Sequence, residues 1–492
     1  MRSLTLHLCF VALLMMGLSG KVYAEIMFDK DIAEKSEQKV FKAGAAKANI
    51  TPFLGGALIG EWNNPPGTEV DDELHVRCLM LDDGTTKLAF VVADILGLNQ
   101  DLIDAAKRLI LERIEIPSSN IIISATHTHS AVSALGTGDD RRSWRSVPFD
   151  RYQEFVINRI ADVVQLAFNR LEPARIGWGA VPVPEHVFVR RWKMRQPVIN
   201  PFGEYDQVMM NPGHDNTNKL TPAAVPDPDV SFISVKSTEG RPIALFANYS
   251  LHYVGGTLQG HISPDYFAVF CEHIQELLDP EGENPSFVGI ISNGTSGDVN
   301  NINYSASPEK NAPYAKMKKV GRDVAQKVFD ASGGITYHDW VPLNAKQEEV
   351  ILKVRKPDAQ MVERAKTILA RPDSIKPAHW LEKTYAERTF NQLKKPDQMS
   401  ACLHAFGIGD LGVASIPFEV FAEIGLEIKA KSPFKQTFVV GLAGGYWGYL
   451  PTPAQHELGG YETWLGTNNV EIEASEKIVA ELLKQFSLIK SK

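Results

Sequence analysis

The chain has 492 residues, of which 44% are hydrophobic and 22% are charged. This composition is typical of a globular protein with a sizeable core, and it excludes disordered and fibrous classes. The 51 lysines and arginines against 59 aspartates and glutamates give a net charge of −8, with no basic segment interleaved with aromatic residues, so we expect no nucleic-acid partner.

The first residues predict a cleaved signal peptide. Arg2 precedes an apolar stretch over residues 8–18, and residues 22–24 (VYA) suit signal-peptidase cleavage. The stretch is shorter than the roughly 18 to 20 residues that span a bilayer, and no other segment is apolar enough. We therefore expect removal of residues 1–24, a mature chain 25–492 without a transmembrane segment, and a periplasmic or secreted location.

The next elements predict a hairpin and then a helix. Residues 75–81 and 87–93 are apolar runs joined by the turn DDGT, which is typical of two paired strands. Residues 102–113 repeat apolar positions at helical spacing, and a buried strand is predicted at residues 120–123. No repeat or long linker interrupts the rest of the chain, so we expect one large domain.

Similar apolar strands recur further along the chain. They are predicted at residues 243–247, 287–291, 411–416 and 437–442. Residues 353–398 indicate surface helices with loops, and residues 469–488 indicate a terminal helix. The pattern predicts an α/β fold with mixed β-sheets and surrounding helices.

Five of these strands run into polar or aromatic loops. The loops are residues 126–129 (THTH), 250–252 (SLH), 293–298 (NGTSGD), 417–419 (PFE) and 446–449 (YWGY). Ligands collect at the carboxyl ends of strands in α/β sheets. We therefore expect the five loops to converge on one pocket.

The loops contain residues that can bind a metal. His127 and His129 alternate after a buried strand, so in extended backbone they share one face, as a metal-binding pair or as a hydrogen-bonded loop pair. His252 taken alone is typical of a structural histidine. Glu419 lies in an apolar stretch, where a buried carboxylate needs a cation or a donor. The sequence contains no HExxH or CxxC motif, so the spacing of the candidate ligands alone does not establish a zinc site. The chain after residue 24 also contains no GxSxG nucleophile elbow.

Several segments resemble the neutral, non-lysosomal ceramidase family. They are residues 43–52 (AGAAKANITP), 124–130 (SATHTHS), 246–252 (FANYSLH), 297–299 (GDV) and 417–419 (PFE). Their order and separation agree with the family over residues 40–470. Tyr449 and Tyr461, by themselves simple core or rim aromatics, match the family's two active-site tyrosines.

The resemblance implies a zinc-dependent amidohydrolase that cleaves an N-acyl, ceramide-like linear amide with a zinc-activated water, in sphingolipid metabolism. A small-molecule or lipid-like amide is the implied partner. The site residues that it implies are the zinc ligands His127, His252, Glu419 and Tyr449, the catalytic residues His129, Arg191 and Tyr461, and the substrate-binding residues Asp298 and Asn300. The identity of the arginine is open, because Arg190 is adjacent.

Two departures from the family keep other functions open. Asn300 stands where the family has a serine, and we expect the chain to lack the family's C-terminal immunoglobulin-like domain. One alternative is a zinc hydrolase of the same scaffold acting on a polar amide, an ester or a carbohydrate derivative. The charged residues 138–142 (GDDRR), with Trp144 nearby, favour such a substrate if they line the pocket; the other interpretation, which the sequence alone favours, is a solvated surface loop. A further alternative is a catalytically inactive binding protein.

Overall fold

The computed structural model describes residues 39–60, 64–132, 134–135 and 148–491. The predicted hairpin is present as an antiparallel pair of strands. The strands in chain order are β1 Lys42–Asn49, β2 Leu58–Ile59, β3 Glu69–Val70, β4 His75–Asp82, β5 Lys87–Ala93, β6 Ile121–Ala125, β7 Ala131–Val132, β8 Glu172–Pro182, β9 Phe188–Val189, β10 Arg191–Ile199, β11 Tyr205–Met210, β12 Lys219–Pro222, β13 Asp229–Ser237, β14 Pro242–Tyr249, β15 His261–Ile262, β16 Val288–Asn293, β17 Val299–Asn300, β18 Leu343–Lys353, β19 Gln398–Ile408, β20 Leu411–Ser415, β21 Glu419–Val420, β22 Gln436–Val440 and β23 Tyr449–Leu450.

The helices surround these strands. In chain order they are α1 Gln100–Leu111, α2 Arg151–Asn169, α3 Tyr266–Leu278, α4 Ala315–Ser332, α5 Ala359–Ala370, α6 Glu382–Leu393, α7 Ala422–Lys431, α8 Pro453–Leu458 and α9 Ala474–Lys490, with short 3-10 turns at Ser118–Asn120, Pro184–His186 and Tyr461–Thr463. None of the helices in the described ranges is long and apolar enough to cross a membrane.

Two sheets pack face to face. The larger has the order β16-β14-β13-β8-β1-β4-β5-β6, and the smaller has the order β18-β19-β20-β22. Their facing sides share one apolar core, in which the ring centres of Phe90 and Phe406 lie 5.4 Å apart. The other face of the large sheet packs on α1 to α4, and the other face of the small sheet packs on α7 and α9. The fold is therefore mixed α/β in four layers, as the sequence predicts, and Phe41–Lys492 form one compact unit.

The predicted strands are all present, whereas the terminal helix begins five residues later than the prediction. The Asn469 carbonyl accepts from Arg355, and the Glu471 N–H donates to Lys353. These bonds hold residues 469–471 as an extension of the small sheet, so α9 begins only at Ala474. The predicted signal peptide, the charged residues 138–142 and Trp144 lie outside the described residues.

Candidate metal centre

The five predicted loops meet at the carboxyl ends of their strands. The Asn293 side-chain amide donates to the Thr126 carbonyl at 3.0 Å, and the Gly441 N–H donates to the Asn293 carbonyl at 3.0 Å. The Gly297 N–H donates to the Val420 carbonyl at 2.7 Å. The parallel pairs β5–β6, β14–β16 and β20–β22 explain this convergence, because parallel strands end at the same edge.

Three histidines form a cluster where the loops meet. Ring nitrogens of His127, His129 and His252 all lie within 4.8 Å of one another, and the Nε2 atoms of His127 and His129 are 3.3 Å apart. The His127 and His129 rings do share a site, but not through extended backbone as predicted. His127 adopts φ +71, in the left-handed region that a non-glycine residue rarely occupies. Such strain is typical of residues held in place for function.

Backbone carbonyls hold the far side of each imidazole. The Nδ1 atoms of His127, His129 and His252 lie 2.7, 3.0 and 3.1 Å from the carbonyl oxygens of Leu96, Gly60 and Ser296, respectively. A carbonyl only accepts, so each Nδ1 carries the proton and each Nε2 presents a lone pair. Metal-binding histidines are oriented in this way. Burial lowers the pKa of His129 and His252 well below the usual value, which keeps both rings neutral.

Glu419 brings a carboxylate to the same point. Its Oε2 lies 3.3 Å from Nε2 of His127 and 3.9 Å from Nε2 of His252, and its Oε1 accepts from the Tyr446 hydroxyl at 2.6 Å. Burial opposes ionisation of the Glu419 carboxyl, but the hydrogen bond from the Tyr446 hydroxyl favours the ionised form, and the pKa of Glu419 lies well below the usual value. Within the described residues, His252 Nε2 and Glu419 Oε2 are buried without a hydrogen-bond partner. Both atoms carry lone pairs that no hydrogen bond satisfies, and this arrangement is the one expected of two ligands of a cation.

Tyr449 is placed beside Glu419 by the backbone. The short strands β21 and β23 are parallel, and their register sets Glu419 opposite Tyr449. The rings of Tyr449 and Tyr461 are 5.8 Å apart and nearly perpendicular. Burial raises the pKa of the Tyr449 hydroxyl well above its usual value, although Arg190 acts against this shift. The structure thus places Tyr449 beside Glu419 and Tyr461 against the ring of Tyr449, and their roles at the site stay predictions.

The structure brings Arg190, rather than the predicted Arg191, to this edge. The Arg190 guanidinium lies over the Tyr449 ring, 5.3 Å from its centre. Both arginines also donate to Glu462, but Arg191 extends toward α8, where it donates to Gln455 Oε1 at 3.2 Å and to the Gly459 carbonyl at 2.7 Å. Of the two adjacent arginines, Arg190 is therefore the one beside Tyr449.

The two predicted substrate-binding residues make local contacts. The Asp298 carboxylate accepts from the Ala422 N–H at 2.8 Å, at the start of α7, and burial raises the pKa of this carboxyl to about 7. The Asn300 amide donates to Asn211 at 2.8 Å and accepts from Ile302 at 2.9 Å. Their roles toward a substrate stay predictions.

Sequence reasoning did not single out Tyr446 or Tyr253. Tyr446 lies in the predicted loop 446–449, and its bond to Glu419 becomes visible only when β22 and β20 are paired. Tyr253 stacks on His129, with ring centres 3.8 Å apart and an angle of 15° between the planes. Its adjacency to His252 is the one signal in the sequence that points to it.

Comparison with known proteins supports the fold. No protein-family model and no curated protein sequence matches the chain. The crystal structure of neutral ceramidase from Pseudomonas aeruginosa is similar, with a TM-score of 0.66 and 14% identity over 92% of this chain and 75% of that chain. A ceramidase complexed with C2 is similar with a TM-score of 0.64 and 14% identity, over 92% of this chain and 76% of that chain. The chain therefore shares the fold of neutral ceramidase. At 14% sequence identity, the comparison supports the fold alone.

Proposed function

We propose that this protein is an exported, zinc-dependent hydrolase that cleaves an N-acyl, ceramide-like amide. The observation that supports it most directly is the buried cluster in which His252 Nε2 and Glu419 Oε2 face each other without a hydrogen-bond partner among the described residues. The cluster lies at the strand ends of a fold shared with neutral ceramidase.

His127, His252, Glu419 and Tyr449 would hold the zinc ion. Imidazole nitrogen and carboxylate oxygen are ordinary zinc ligands, and the carbonyls behind the rings aim the Nε2 atoms inward. His129 could replace Tyr449 as a ligand, because its Nε2 lies as close to His127 as Glu419 does. Zinc, when bound, lowers the pKa of water and polarises an acyl carbonyl.

The remaining residues would orient the amide and move protons. His129 is held by the Gly60 carbonyl and by the Tyr253 ring, so the lone pair of its Nε2 is fixed at the cluster, where it can take a proton from the attacking water and then pass that proton to the leaving amine. Arg190 places a permanent positive charge beside Tyr449, where it can stabilise negative charge on the acyl oxygen. Tyr461 can donate a hydrogen bond to the same oxygen.

Exposed apolar side chains on two loops that reach the His129 segment favour a lipid-like acyl substrate over a polar one. Phe53 and Leu54 are 63% and 57% exposed, on the loop that leads to Gly60. Leu258 is 48% exposed and follows Thr257, whose hydroxyl bonds Ser130 at 2.9 Å. One loop contacts His129 through Gly60 and the other contacts Ser130 through Thr257, so we propose that these apolar side chains receive the acyl chain.

Metal analysis of the purified mature protein tests the proposal. We expect about one zinc ion per chain, and its loss in the His127→Ala/His252→Ala variant. The parent should then hydrolyse an N-acyl sphingosine faster than short water-soluble amides and esters. A protein with no bound zinc and no affinity for added zinc would refute the metal mechanism, and a preference for the polar substrates would refute the ceramide-like specificity.

A further inference from the structure

A buried ionic network lies directly behind the candidate metal centre. One carboxylate, Glu462, joins two adjacent arginines: Oε1 accepts from Arg190 Nε at 2.9 Å, and Oε2 accepts from Arg191 at 2.7 Å. The side chain of Glu462 is 0% exposed, and those of Arg190 and Arg191 are 6% and 0% exposed. Neither the sequence motifs nor the proposed reaction assigns a role to Glu462.

The three buried charges of the network stabilise one another only as a set. Two guanidinium groups next to each other repel, and burying any of the three charges alone would be costly. Glu462 offsets both effects, and Arg190 and Arg191 place other N–H groups on the carbonyls of Gly297 and Gly459. Arg190 is therefore locked in direction from two sides.

The two arginines have different tasks. Arg191 binds Gln455 and Gly459, so it fastens the segment around α8 to the start of β10. The Arg190 guanidinium lies 5.3 Å from the centre of the Tyr449 ring, and Tyr449 is paired with Glu419, so the charge of Arg190 lies beside the candidate metal centre. Glu462 is the link between them, and it directly follows Tyr461, whose ring packs against that of Tyr449.

We propose that Glu462 is a positioning residue: its carboxylate holds the Arg190 guanidinium against Tyr449 and so fixes the positive charge at the edge of the candidate metal centre. The inference rests on the proposed function for its kinetic consequence. Its structural half, the hold on Arg190, does not depend on the reaction.

The test compares Glu462→Gln with a matched control. Glutamine keeps the shape of the side chain but loses the charge that binds the arginines. The control is Glu382→Gln, because Glu382 is also a buried glutamate (2% exposed) bound to two arginines, Arg364 and Arg371. Glu382 belongs to α6 and has no contact with the candidate metal centre among its described partners.

The kinetic readout is the division between kcat and KM on the zinc-loaded enzyme. For Glu462→Gln we expect kcat to fall by about 10- to 100-fold with KM and zinc content nearly unchanged, the range typical of residues that orient a site's own groups. Glu382→Gln should lose stability without this fall in kcat. In an Arg190→Lys background, Glu462→Gln should add little further loss, because both changes act through one contact. A full additional loss in that background would overturn the proposal.

A second readout needs no activity. The Arg190 Nε–H signal in nitrogen-15 NMR, identified by its loss in Arg190→Lys, should exchange slowly with water in the parent and rapidly in Glu462→Gln. An unchanged signal would show that Glu462 does not hold Arg190. If the parent hydrolyses none of the substrates, the proposed function fails, while this signal still decides whether Glu462 fixes Arg190.

Discussion

Replacing Tyr446 by phenylalanine removes one hydrogen bond from the candidate metal centre and leaves the ring in place. The lost bond is the hydroxyl donation to Glu419 Oε1, at 2.6 Å. Glu419 Oε2 has no hydrogen-bond partner within the described residues, so the variant leaves the buried carboxylate without a hydrogen bond on either oxygen. The expected effect is a carboxylate that is no longer held toward the histidines.

The size of the effect follows from the geometry. A hydrogen bond to a charged group contributes about 1.5 to 3 kcal/mol. Loss of a group that orients a metal ligand typically lowers metal affinity by about 10- to 100-fold, which corresponds to about 1.4 to 2.8 kcal/mol. The two estimates agree, so we expect Tyr446→Phe to weaken zinc binding by one to two orders of magnitude.

The assay is competition for zinc between the protein and a chelator at fixed pH. Tyr152→Phe is the matched control. Tyr152 lies on α2, and its hydroxyl donates to the Ile50 carbonyl at 2.8 Å rather than to a candidate ligand. The control should keep the parent's zinc affinity. An affinity of Tyr446→Phe within about twofold of the parent would refute the reasoning, since the hydrogen bond would then not orient Glu419.

Three further outcomes are expected. Gly60→Ala should lower kcat by at least about tenfold, because a Cβ there would lie 2.5 Å from the His129 ring. The control Gly55→Ala is also at positive φ but has open space around it, and it should leave kcat unchanged. Equal effects of the two substitutions would contradict the role of His129. Glu419→Gln should abolish stoichiometric zinc binding without unfolding the protein by circular dichroism, and retained zinc would exclude Glu419 as a ligand. Burial lowers the pKa of His404 well below 6.5, so this ring stays neutral in the native state while the unfolded chain binds a proton. The free energy of unfolding of the apo protein should therefore fall as the pH drops below about 6.5, by on the order of 1 kcal/mol per pH unit from this group. The urea midpoint should fall less over this pH range in His404→Gln than in the parent.

The sequence by itself determined the order of strands and loops and the chemical types at the site. Each apolar run must be buried, and a polar loop must follow where the strand leaves the core, so the hairpin at 75–93 and the strands before His127, His252 and Glu419 were predictable from local pattern. The start of α9 was not, because residues 469–471 bond to the end of β18 and the residues just after it, more than 100 positions earlier in the chain.

Only the tertiary structure decided which side chains meet. Arg190 and Arg191 are indistinguishable by type and both bind Glu462, but the fold places Arg190 over the Tyr449 ring and directs Arg191 to Gln455 and Gly459. The protonated nitrogen of His127 depends on the Leu96 carbonyl, which comes from another loop. Tyr446 gains its role only when the chain brings its hydroxyl to Glu419, 27 residues away. Local pattern specifies what is buried, whereas direction and hydrogen-bond partners depend on contacts between distant segments, which no single stretch of sequence encodes.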